Sequence, residues 1–120
     1  MTGVVRQREA RIKLRVVGPR GQRVIVEAVI DTGYTGWLTL PPSLIATLRL
    51  PWTDVTPVIL ADGNEAYFDV FDANVIWNRR KLAIKVDQAD ATPLVGMSML
   101  EGCQLKIDVR PGGKVQIKSC

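Results

Sequence analysis

Val24-Ile25-Val26-Glu27-Ala28-Val29-Ile30 runs directly into Asp31-Thr32-Gly33, and Trp37-Leu38-Thr39-Leu40 resumes an apolar run shortly afterwards. A strand of mostly β-branched residues that ends in a carboxylate on a tight turn delivers an acid to a fixed place. There, partial desolvation and a nearby like charge can bring a pKa into a range useful for proton transfer. Thr32 offers a hydroxyl to tie the turn down, and Gly33 lets the chain turn sharply. Taken alone, the three residues are ordinary turn chemistry, so the rest of the chain decides what they mean.

The 120 residues fit one domain, expected over 1–120, with 47% hydrophobic and 23% charged residues, an ordinary globular balance. No apolar run approaches the roughly 20 residues that span a bilayer, and Met1 to Arg15 alternates charge with aliphatics instead of forming a signal-peptide core. A cytoplasmic location and no membrane partner are the resulting expectations. Cys103 and Cys120 make no disulfide framework. Both are expected reduced, Cys103 in the core and Cys120 as a terminal thiol. With no histidine in the chain, Ser-His-Asp and Cys-His nucleophiles and most zinc sites are excluded, which leaves carboxylate chemistry and implies no metal or cofactor.

The net charge of +4 comes mainly from basic residues that alternate with aliphatics or sit in turns, as on the wet face of a sheet. The aromatic residues do not interleave with them as a stacking platform, so no nucleic-acid partner is expected.

Ile12, Leu14 and Val16 alternate with Arg11, Lys13 and Arg15, the period of a strand with one wet face. Gly18-Pro19-Arg20-Gly21 turns it into Arg23 to Ile30, which is dense enough in aliphatics to be covered on both faces. Pro41-Pro42-Ser43 breaks the next run ahead of a helical turn over 44–48. Asp62-Gly63 between two strand-like arms predicts a two-residue type I′ hairpin. Phe71, Ala73, Val75 and Trp77 share one side of a long strand that Asn78-Arg79-Arg80 turns into Leu82 to Val86. Asp87 to Thr92 reads as a polar loop, Leu94-Val95-Gly96 as a short apolar stretch, and Met97 to Leu100 as a helical turn. Gln104 to Val109 and Lys114 to Lys118 close the chain around Pro111-Gly112-Gly113. Many short strands without a long helix describe an all-β domain, closed or sandwiched.

The order of these parts resembles the retropepsin-like aspartic proteases, over roughly residues 12 to 118. The resemblance is narrowest to short prokaryotic members, through Asp31-Thr32-Gly33-Tyr34-Thr35-Gly36, Ala61-Asp62-Gly63 and Leu94-Val95-Gly96-Met97. It implies a small closed β-barrel with one short helix after Gly96. Asp31 becomes the catalytic aspartate. Thr32 locks the loop to that of a partner subunit, and Gly33 permits the turn. Asp62 and Gly63 mark the tip of a flap over the cleft, and Leu94, Val95 and Gly96 pack beside the catalytic loop. Tyr34 departs from the family's small residue after the glycine, Thr35 from the second Asp of viral members, and the flap tip is not glycine-rich.

Hydrolysis of this kind needs two carboxylates around one water, and the chain has one such loop. The resemblance therefore implies an endopeptidase whose dyad forms from two copies of Asp31 in a homodimer, acting on peptide or protein substrates. The seam is expected in Gln104 to Lys118 or Ile12 to Val16, and the cleft lining in Ile30, Trp37, Ile59, Leu60 and Val95. The alternative is a dimeric peptide-binding or scaffold module of the same fold that does not cut.

Overall fold

The computed structural model describes residues 1–120, and ten strands form one sheet in the order β5-β6-β7-β4-β8-β3-β2-β1-β10-β9. The strands are β1 (Thr2–Arg6), β2 (Glu9–Val17), β3 (Arg23–Ile30), β4 (Leu38–Leu40), β5 (Trp52–Ile59), β6 (Glu65–Trp77), β7 (Arg80–Gln88), β8 (Leu94–Val95), β9 (Gln104–Ile107) and β10 (Lys114–Lys118). Two short helices interrupt them, α1 (Pro42–Leu48) and α2 (Met97–Leu100). Neither is long and apolar enough to cross a membrane.

An additional pairing of β6 with β2 closes β2, β3, β8, β4, β7 and β6 into a ring. Outside it, β5 hangs from β6 as half of a hairpin, and β1, β10 and β9 continue from β2 as a second flank. The core fills the ring. Ile12, Leu14 and Val16 alternate inward from β2 as expected, and Ala73, Val75 and Trp77 do so from β6, all buried. Leu38, Leu40, Val86 and Val95 are wholly inaccessible. Truncating one such leucine to alanine costs about 2–5 kcal/mol, because the rigid ring leaves a cavity that its neighbours cannot fill. On the outer face, Lys13 and Arg15 are solvated while Arg6 and Arg11 pair with Glu27.

Several local expectations change. β1 was not visible in the alternating N-terminus. It forms a hairpin with β2 through Gln7 and Arg8, both left-handed (φ 52° and 63°), the condition for a type I′ turn. Asn78 and Arg79 make the second such turn (φ 49° and 67°). Asp62-Gly63 does not. Leu60 and Asn64 form the closing pair (Leu60 N–H to Asn64 O, 2.8 Å), so the loop has three residues and only Gly63 is left-handed, at φ 86°. β3 is not covered on both faces throughout, since Ile25 is 63% exposed; coverage begins at Val26. Helix α1 starts two residues earlier than expected, because Pro42 sits within the first turn, where its missing N–H costs nothing.

Cys103 and Cys120 are bonded to each other, not reduced. Lys118 pairs with Gln104 at the open end of the β9–β10 hairpin, which brings the flanking cysteines together from 17 residues apart.

Candidate active site

The Asp31–Gly36 loop is held where three strands of the ring meet. β8 lies between β3, which it joins in parallel, and β4, which it joins antiparallel. The Asp31 N–H donates to Val95 O (2.9 Å), and Gly96 N–H donates to Trp37 O (3.0 Å). The buried Thr39 hydroxyl accepts from Leu94 N–H (2.8 Å). Leu94, Val95 and Gly96 are thus brought against the loop.

Within the turn, Asp31 Oδ1 accepts the Gly33 N–H at 2.9 Å, which fixes the carboxylate. Gly33 does not take a left-handed backbone; a Cβ there would stand 3.3 Å from Asp31 Oδ1, so glycine leaves room for the carboxylate itself. Gly96 is more constrained, since a Cβ would meet Gly36 O at 2.3 Å. The loop's far end is tied to α2. Met97 N–H donates to Tyr34 O (2.8 Å), Ser98 N–H to Gly36 O (3.1 Å), and the Ser98 hydroxyl to Thr35 O (2.6 Å). Thr32 is exposed, and its hydroxyl bonds to nothing within the chain.

A cleft of about 780 Å³ opens between this loop and the β5–β6 hairpin. Gly33, Tyr34 and Trp37 form its floor, while the inner face of the hairpin, with Thr56, Val58 and Phe68, overhangs it. Asp62 and Gly63 lie at the hairpin's tip, where Asn64 N–H donates to Asp62 Oδ1 (2.9 Å). Of the expected lining, Trp37 takes part. Val95 is instead buried in the core, and Ile59 and Leu60 are exposed at the tip, 75% and 43% accessible. Ile30 belongs to a second, smaller groove on the other side of the loop, shared with Thr32, Val5, Ala10, Ile107 and Val109.

Asp87 does not open the polar loop expected over Asp87 to Thr92 but belongs to β7. It sits opposite Thr39, inside the cleft, and accepts a hydrogen bond of 2.5 Å from the Tyr34 hydroxyl. Burial first, and then the bond and charge of Asp87, push the Tyr34 phenol well above its ordinary pKa. Nothing local in the sequence joins residues 53 apart. The parallel pairing of β4 with β7 brings them together.

The fold is retropepsin-like. EIAV protease, solved in complex with the inhibitor HBY-793, superposes with a TM-score of 0.55 at 15% identity, over 81% of this chain and 91% of that one. A retropepsin-like aspartic protease from Rickettsia conorii superposes with a TM-score of 0.53 at 18% identity, over 96% of this chain and 90% of that one. No family model and no curated protein matches the sequence.

Proposed function

We propose that the chain is an aspartic endopeptidase whose catalytic pair consists of Asp31 and the same residue of a second copy. One observation carries the reading: a carboxylate clamped by its own turn ends a ring strand beside a cleft large enough for an extended peptide. The mechanism follows from a dyad. Two carboxylates about 3 Å apart cannot both ionise easily and so share a proton. The ionised one takes a proton from water as the water oxygen attacks the peptide carbonyl carbon. The protonated one donates to the carbonyl oxygen. The tetrahedral intermediate then collapses, breaking the C–N bond as the leaving nitrogen is protonated.

The groove behind the loop supports the homodimer. It is lined by Ile30, Ala10 and Ile107 beside the unbonded Thr32, and Val109 stands 76% exposed at its rim. Of the two expected seams, Gln104 to Lys118 fits, since β9 has an unpaired edge. The Ile12 to Val16 strand does not, because β2 is already paired with β1, β3 and β6.

Digestion of a peptide library at high protein concentration from pH 4 to 7, read by mass spectrometry, tests the activity. Cuts made by the wild type and absent with Asp31→Asn are expected. If a folded dimer leaves the library intact, the reading gives way to a peptide-binding module that does not cut.

A further inference from the structure

We infer that Tyr34 sets the size of the substrate residue accepted close to the cleaved bond, at one position on each side and within two residues of it. The inference rests on the cleft being the peptide site proposed above.

Tyr34 follows the Asp31–Gly33 turn directly, and its N–H donates to Asp31 O (3.1 Å). Its ring lines the cleft on the loop side, three residues on from Asp31, and reaches across to Asp87. The ring lies between two glycines. A Cβ on Gly36 would fall 2.3 Å from the Tyr34 hydroxyl, and one on Gly96 would fall 2.6 Å from Tyr34 Cδ2. Glycine at both positions is what admits an aromatic side chain here. The ring cannot swing aside without giving up the Asp87 bond at its far end, so it is a fixed wall. Space filled by a pinned ring is closed to a substrate side chain, and forcing both into one site carries the cost of overpacking. In a two-fold dimer, one Tyr34 stands on each side of the dyad, so the restriction applies symmetrically. The expected substrates carry Gly, Ala or Ser at these two positions. Elsewhere in the cleft lining, Asp54, Thr56, Lys85 and Gln88 present polar groups that accept hydrophilic residues.

The test uses two peptides in which a non-cleavable hydroxyethylene group replaces the scissile bond, flanked on both sides by two Ala residues in one and two Phe residues in the other. Their affinities for wild type, Tyr34→Phe and Tyr34→Ala are measured by calorimetry, with circular dichroism to establish folding. The wild type is expected to prefer the Ala peptide by about tenfold or more. Tyr34→Phe keeps the ring between the two glycines but frees its far end, so it retains part of the preference, and Tyr34→Ala loses most of it. A wild type that binds both peptides equally, or a folded Tyr34→Ala that retains the full preference, overturns the inference. The readout needs no turnover, so a chain that fails to cut the library yet shows the Tyr34-dependent preference sinks the peptidase reading alone. Cuts with Phe or Trp freely accepted at both positions sink the size rule alone.

Discussion

The two sides of the Asp31–Gly36 loop are built differently. Toward the cleft, Gly33, Tyr34, Thr35 and Gly36 are bonded to Asp31, Asp87, Ser98 and Met97, so the loop on that side is held by bonds within one chain. Toward the groove, Thr32 has no partner, and Ile30, Ile107 and Val109 leave apolar surface in solvent. A polar group without a partner next to exposed aliphatic surface is the surface a second molecule would cover. The side that would hold substrate is preorganised, and the side that would hold the partner is open.

The largest expected effect falls on the closed side. Gly96→Ala drives a methyl group into the Gly36 carbonyl, a backbone atom that cannot step aside, and should lower stability by about 3 kcal/mol in denaturant unfolding. On the open side, Val109→Arg should leave unfolding nearly unchanged but lower sedimentation-measured dimer affinity by tenfold or more, about 1.4 kcal/mol. Ile25→Arg, on β3 and also exposed but outside the groove, should do neither. Thr32→Val preserves shape while removing the hydroxyl. A loss of about 1 kcal/mol per dimer is expected, with monomer stability intact. If Val109→Arg unfolds the chain while the dimer survives in its folded fraction, the contrast between the sides is lost.

The smallest effect concerns Tyr34. Below its ordinary value of 10.0, the phenol is neutral in the folded and unfolded chain alike, and its stabilising contribution is fully present. Above that value the unfolded chain releases the proton and the folded chain keeps it, so stability falls as pH rises. Tyr34→Phe should flatten that decline and cost about 1 kcal/mol at neutral pH, from the lost bond to Asp87. Urea titrations between pH 8 and 11 check both.

Much of the ring was legible in the sequence because burial writes a period of two. Ile12, Leu14 and Val16, and again Ala73, Val75 and Trp77, announce their inward face by alternation alone. The end of β3 at Asp31 and the turn after Gly96 were also readable, because the apolar runs stop where the strands stop. What escaped notice depended on contacts between distant residues or on turns with unremarkable chemistry. Gln7-Arg8 adopts a left-handed pair without the Asn or Gly that signals one, which hid β1. Asp62-Gly63 carries that signal, yet the loop is one residue longer because Leu60 and Asn64 pair. Asp87 gained its cleft position only when β4 and β7, far apart in sequence, came side by side, and Cys103 gained its partner from the register of the β9–β10 hairpin, which sets the flanking cysteines opposite each other.

The central claim is that one active centre needs two chains. It is tested most directly by mixing wild type with Asp31→Asn at fixed total concentration, allowing subunits to exchange, and following cleavage of one peptide from the library digestion. A shared dyad predicts activity that falls with the square of the wild-type fraction, because each mixed pair has lost one carboxylate. Activity that falls in simple proportion to that fraction would show that each chain cuts alone, and would contradict the account.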